Sequence, residues 1–334
     1  MNINYQGHAI KIFTHPHRSY TFDTYMQNHK DVIMWSDAYK CEGMLCSTSG
    51  YDAFDAWVWA QYLCEQTSIS PFIAVNPIYV HPFAAARKIF SLSKLYNRKL
   101  YINCVTGSAQ ADLNQLNDSL THTERYERMG EYIEILQLFF ATKGPVSFEG
   151  KYYTIKQASL EGQFDESIYP ELAVAGESEN AIALRDKSGL PQLQMLPSDM
   201  NSFPQMAGKS LALGIIARQT KEEAWEAAKQ LYPNDRFGQK LLKMSMIGNQ
   251  TEWKDRLNTE METEGFENFP QYWLGPFKNK YADCPYLVGS YDEIREIITK
   301  LCDQKIHSMV LTIKNVEEFD IINKLFREIE NGGY

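Results

Sequence analysis

ISPFIAVNPIYVHPFAAARKIFSLSKLYNRKLYINCV, residues 69–105, holds the reading that decides the fold. A short apolar run (Ile69–Asn76) gives way to a longer amphipathic stretch (Phe83–Tyr96) and then to a second apolar run (Leu100–Val105). Short apolar runs of this length suit buried strands, and the stretch between them suits a helix. The same alternation recurs in both directions along the chain. Strands are expected at His8–Thr14, Gly43–Ser47, Ile69–Asn76, Leu100–Val105, Glu171–Ala175, Gln192–Leu196, Ser210–Ala217 and Ser308–Ile313. Helices are expected near Thr21–Lys40, Asp52–Gln66, Phe83–Tyr96, Thr123–Thr142, Glu179–Lys187, Lys221–Leu231, Tyr291–Lys300 and Val316–Glu330. Three of these open with Ser/Thr-x-x-Glu capping boxes: Thr121 with Glu124, Thr220 with Glu223, and Ser290 with Glu293. Strand–helix repetition implies a parallel sheet, and eight rounds imply an α/β fold closed into a (β/α)₈ TIM barrel. A doubly wound open sheet is the alternative architecture.

The 334 residues, 44% hydrophobic and 22% charged, are enough for a sizeable core. Barrels of this class reach that length as one domain, so residues 1–334 are read as a single unit. Two insertions break the rhythm. Residues 146–160 form an expected hairpin with Glu149-Gly150 at its turn, and residues 233–285 form a long, aromatic-rich, lid-like segment before the last helix–strand unit. The net charge of −9 argues against a nucleic-acid or anionic-membrane surface. No apolar run is long enough to span a bilayer, and the N-terminal stretch lacks the pattern of a signal peptide, so a cytoplasmic protein is expected. The six cysteines form no CxxC pair and read as buried free thiols.

In a barrel, chemistry is built from residues just after the strands. His15-Pro16-His17 follows the first strand; a metal would need a further ligand that the sequence does not offer, so hydrogen bonding to a ligand is the favoured reading and a surface turn the alternative. Asn103, in the fourth strand, either points an amide at a ligand ring or satisfies loop backbone. His122, Arg125 and Tyr126 share the first turn of a helix whose free N–H groups suit an anion, although Tyr126 also continues an apolar stripe. Gly176 and Ser178 lead into the next helix, where Gly permits close backbone approach and Ser either binds a phosphate or merely caps. No dinucleotide fingerprint, P-loop, nucleophile elbow or HExxH motif is present.

These blocks together resemble the bacterial luciferase-like flavin monooxygenases, within them the alkanesulfonate monooxygenase group. AVNP through HPFAAAR, LYINCVTGS, the TERYER run below His122, VSFEGKYYTI, GIIARQTKEEAWEAA and LVGSYDEI carry the likeness over essentially the whole chain. The resemblance implies reduced FMN delivered by a separate NAD(P)H-dependent reductase, and O₂ as co-substrate, which in that family gives a flavin C4a-peroxide that oxygenates a small organic molecule. By position it implies flavin contacts at Asn103 and Thr106 beside the ring, Ser49 near its edge, and His122, Tyr126, Gly176 and Ser178 toward the phosphate. It places His17 near the reacting centre and Lys280 where the group has a lid arginine. It also implies a homodimer or homotetramer. Where the sulfonate enzymes carry cysteine, arginine and histidine, this chain has Ala53, Ala212 and Gly214; their clamping tyrosine is missing around Ile313-Lys314, and their phosphate-loop serine pair becomes Glu177-Ser178. Losing several charged contacts weakens binding of a small anion, so a larger or neutral substrate, including one borne on a carrier protein, is expected in place of a simple alkanesulfonate. A deazaflavin (F420)-dependent oxidoreductase and a non-catalytic flavin-binding homologue are the competing readings.

Overall fold

The computed structural model describes residues 1–48, 52–107, 110–249, 251–262, 266 and 268–332. Eight parallel strands follow the chain: β1 (His8–Pro16), β2 (Gly43–Cys46), β3 (Ser70–Val75), β4 (Tyr101–Cys104), β5 (Glu171–Ala175), β6 (Gln192–Met195), β7 (Ser210–Arg218) and β8 (Ser308–Ile313). Their order in the sheet is their order in the chain, and β8 pairs with both β7 and β1, which makes the fold a (β/α)₈ barrel. β3, β4 and β8 are buried at every position, as strands covered on both faces must be.

Local chemistry sets the helix ends. All three anticipated capping boxes form, each with the Ser or Thr side chain accepting from the Glu backbone and the Glu reaching back to the cap. The fourth helix runs His122–Ala141, one residue earlier than its apolar stripe suggests. Left-handed Asn97 (φ 46°) and Gly189 (φ 68°) end the helices Pro82–Tyr96 and Glu179–Ser188.

The chain gathers into two compact units, Leu45–Gln192 and Met1–Met44 with Leu193–Tyr334. Within the first, β3, β4 and β5 pair in parallel, with Asn103 opposite Ala74 on one side and Ala173 on the other. The anticipated hairpin is present as Val146–Glu149 against Thr154–Ala158. Its turn is held by Glu131, whose carboxylate accepts from the backbone N–H groups of Lys151, Tyr152 and Tyr153 at 2.6–3.1 Å.

In the second unit the sheet departs from the expectation in two ways. β1 extends through Pro16, so His15 lies in the strand and only His17 beyond it. β7 is shared: its first half pairs with β8, and its second half pairs in parallel with Tyr286–Ser290, a strand outside the eight expected. Among its described residues, 233–285 contains three helices, Arg236–Met246, Glu252–Glu260 and the short Gly275–Lys278, and a strand, Tyr272–Trp273, antiparallel to Tyr286–Ser290. Phe269, Tyr272 and Phe277 are core residues, which explains the aromatic content of that stretch. All six cysteines are free and buried. Among the described residues, no helix is long and apolar enough to cross a membrane.

Candidate active site

Asn103 lies inside β4 with 5% of its surface exposed, and its side-chain Oδ1 is buried with no hydrogen-bond partner among the described residues. A buried carbonyl oxygen left unpaired costs roughly 1–3 kcal/mol, so it marks a place where a donor is expected. Beyond the strand, Thr106 is half-buried and Gly107 adopts a positive φ of 80°. A side chain at 107 would meet the Asn76 amide at 2.9 Å.

The two helices that follow β4 and β5 begin side by side. Asn180 Nδ2, in the first turn of Glu179–Ser188, stands 3.1 Å from His122 Nδ1 and 3.3 Å from Thr123 Oγ1 at the start of His122–Ala141. Two sets of unpaired backbone N–H groups therefore open in the same neighbourhood, a setting that favours an anion. His122 packs edge-on to Tyr126, ring centres 5.0 Å apart, and Tyr126 donates its hydroxyl to the Ala175 carbonyl at 3.3 Å. Gly176 follows at φ 117°, and a Cβ there would come within 2.5 Å of the Tyr126 hydroxyl. The Gly176 carbonyl is fixed by Gln192 Nε2 at 2.6 Å. Ser178 is buried and caps its helix, accepting from Ala181 N at 3.2 Å, which leaves the hydroxyl proton to donate elsewhere. Capping and ligand binding are thus compatible at Ser178. Burial, then the Arg125 guanidinium, lowers the pKa of His122.

At the carboxyl ends of β1 and β8 the surroundings differ. His17 Nε2 lies 3.0 Å from Asn28 Nδ2, while Nδ1 is buried and unpartnered among the described residues. Burial and the Lys314 ammonium push the ring down to about 4. Lys314 directly follows β8 and holds its ammonium 5.5 Å from the ring of Tyr232 and 5.6 Å from that of Tyr281. Lys280 is buried in the left-handed conformation (φ 62°), and its ammonium lies 3.0 Å from Asp283 Oδ1. Arg18 pairs with the other oxygen of the same carboxylate. Burial alone would raise the Asp283 carboxyl, but Arg18 and Lys280 together hold it below the usual range. The Lys280 charge is therefore engaged within this structure.

Gly214 leaves space that the Tyr286 ring fills: a Cβ at 214 would lie 2.2 Å from that ring. The Tyr286 hydroxyl meets Tyr232 at 2.7 Å and the Thr312 carbonyl at 3.3 Å. The sequence reading passed over Tyr232, Tyr286 and Lys314; only Lys314 carried a usable signal, its place immediately after a barrel strand. Of the residues nominated from sequence, Asn103, Thr106, His122, Tyr126, Gly176 and Ser178 all belong to Leu45–Gln192, and His17 and Lys280 to the other unit. Ser49 lies outside the described residues. Among the described residues, no cluster of His, Cys, Asp and Glu is arranged to hold a metal.

The chain is similar to several known proteins. A 4-(gamma-L-glutamylamino)butanoyl-[BtrI acyl-carrier protein] monooxygenase, BtrO, of Niallia circulans is 25% identical over 92% of each chain. EDTA monooxygenase from Chelativorans sp. BNC1 superposes with a TM-score of 0.75 at 13% identity, over 97% of this chain and 94% of that one. An F420-dependent secondary alcohol dehydrogenase superposes with a TM-score of 0.66 at 13% identity, over 96% and 98%. The family profile described as luciferase-like monooxygenase matches residues 31–199, half of the chain including β2 to β6, and the chain belongs to that family.

Proposed function

We propose that residues 1–334 form one catalytic domain of a two-component monooxygenase that binds reduced FMN and oxygenates an acyl group delivered as a thioester on a carrier protein. The observation that carries the cofactor reading is the unpaired Oδ1 of Asn103, set in the strand next to the Gly176 cradle that a single Cβ would fill. An isoalloxazine ring offers the N–H that such an acceptor lacks. Asn103 and Thr106 would hold the ring, Ser49 its edge, and Gly176, Ser178, Tyr126 and His122 the phosphate end. Bound reduced FMN supplies two electrons to O₂, so that one oxygen atom enters the substrate and the other leaves as water.

The protein contributes binding, orientation and exclusion of water. His122, Ser178 and the adjoining helix N-termini would hold the phosphate end. His17, with Nε2 within hydrogen-bond distance of Asn28, would hold or pass a proton in the reaction. Lys280, fixed with Arg18 on Asp283, supports the segment that bounds the substrate.

BtrO supports the carrier-borne substrate, and the Tyr286–Gly214 packing supports exclusion of a small sulfonate. The reading further includes a separate NAD(P)H:flavin reductase, a homo-oligomeric state and a cytoplasmic setting. A second reading, F420-dependent hydride transfer, draws on the likeness to the secondary alcohol dehydrogenase. Titration with reduced FMN and with reduced F420, followed by O₂ uptake in the presence of acyl-carrier thioesters, separates the two. Tight FMN binding with substrate-dependent oxygen incorporation is expected; binding of F420 alone would overturn the monooxygenase assignment.

A further inference from the structure

The helix Arg236–Met246 presents a face that the site described above does not use. Asp235 caps it, accepting from Phe237 N at 2.9 Å, and its inner side rests on Gly238 and Leu242, both buried. Gly238 sits against the Asn279 carbonyl, too close to admit a Cβ. Asn279 Oδ1 accepts from Asp235 N at 2.8 Å and from Gln239 Nε2 at 2.9 Å. The helix is thus fastened beside Lys280. Arg18, which shares Asp283 with that lysine, follows β1 directly, so the helix stands near the carboxyl end of β1.

The outward side is apolar and cationic at once. Phe237 and Met244 are each 58% exposed and Ile247 is 82% exposed. Phe237 and Met244 lie seven residues apart, two turns along one side of the helix, and Ile247 stands at its C-terminal end. Arg236, Lys240 and Lys243 are exposed around them. Residues 236–249 contain no Asp or Glu, in a chain whose net charge is −9. Exposed apolar side chains flanked by charges of one sign mark a protein-binding face, and the sign identifies a partner of the opposite charge.

We propose that this face docks the acidic carrier protein that brings the acyl thioester, with Phe237, Met244 and Ile247 forming the apolar centre and Arg236, Lys240 and Lys243 the cationic rim. The proposal rests on the carrier-borne substrate of the preceding section and locates where that carrier sits. A second copy of this chain fits less well, because a symmetric contact would set the three cations against one another. On the charge argument, docking weakens as salt rises, since rim charges are screened within roughly 8–10 Å.

The test uses the full-length protein and the holo form of the BtrI acyl-carrier protein as probe. Affinity is measured by titration calorimetry, and the protected segment by amide hydrogen exchange. Protection confined to residues 236–247, with affinity at least about tenfold lower in Lys240→Glu/Lys243→Glu and in Phe237→Ser, supports the proposal. FMN affinity, measured in parallel, is expected to match that of the unmodified protein and so reports that the variants fold. Carrier binding with protection elsewhere, and affinity retained in the variants, overturns this face while leaving the carrier-borne substrate standing. Absence of carrier binding altogether overturns both. A shift to smaller oligomers in the variants, with carrier binding unchanged, assigns the face to self-association and also overturns the proposal.

Discussion

The ends of β4 and β5 and the ends of β7 and β8 present opposite solutions to the same problem. Around β4 and β5 the chain keeps small residues and unpaired polar atoms: Asn103 Oδ1 has no partner among the described residues, and Gly107 and Gly176 leave room that any side chain would take. Around β7 and β8 the space is filled from within. Tyr286 occupies the volume a residue at 214 would need, Tyr232 closes on it, and Lys314 lies over aromatic rings. The first arrangement stays open at a cost in stability, which is how a strand end kept for a ligand behaves. In the second the room is taken by packing, so the two ends differ in kind: one leaves polar atoms and space, the other is closed by aromatic side chains.

The contrast can be broken most sharply at Gly176. Gly176→Val imposes a side chain at φ 117° against the Tyr126 hydroxyl; strain of about 1–3 kcal/mol plus loss of the cradle is expected to lower FMN affinity about 100-fold, read by flavin fluorescence titration. Normal affinity in that variant would remove the cradle from the cofactor site. Next in size, Gly214→His should lower stability by about 3 kcal/mol through overpacking against Tyr286, seen as a lower melting temperature, with no gain in alkanesulfonate binding. A stable variant would mean that the β7 end is more open than Tyr286 makes it.

Asn103→Leu separates ligand binding from folding. Removing an unpaired buried acceptor should leave the free protein as stable or more so, while FMN affinity falls by about 1–3 kcal/mol. If stability dropped and affinity held, Asn103 would be a structural residue only. Acidification tests the histidines of β1 and the helix after it. His15, His17 and His29 have folded values near 3, 4 and 4, each lowered first by burial from a value near 6.5. Between pH 6.5 and about 4 the unfolded chain binds more protons than the folded one, so stability should decline across that window as pH falls and level off below it. Denaturant midpoints at pH 7 and pH 5 measure this, and His29→Gln should flatten the decline. The smallest expected change is at Lys314→Met. It forfeits a cation–π contribution of about 0.5–1 kcal/mol and should let the His17 value climb above about 4, visible by NMR titration; an unmoved His17 would separate the two residues.

Much of the fold was legible because its signals are short-ranged. Capping pairs such as Thr121 with Glu124 lie three residues apart, and the apolar runs of β3, β4 and β8 announce themselves within six. The candidate flavin residues could be nominated for a related reason: Asn103, Thr106, Gly176 and Ser178 stand in or just beyond a strand, His122 and Tyr126 open a capped helix, and the family pattern suggested their roles. The strand Tyr286–Ser290 was not, since LVGS reads as the approach to a capped helix, and nothing nearby reveals that the second half of β7 awaits a partner. Nor could the sequence show that the Lys280 charge is spent on Asp283 together with Arg18, which lies 265 residues away from that carboxylate.

By itself, then, the order of residues determined the eight-fold strand–helix repeat, the helix starts and the polar positions after the strands, because hydrogen-bonded caps and side-chain periodicity act over a few residues. Only the tertiary structure decided which of those positions stay open. Tyr232 and Tyr286 meet across 54 residues of chain, and Gly214 is closed off because that meeting occurs. Volume is filled by whatever the folded chain brings near, and nearness in space is the quantity a linear pattern does not carry.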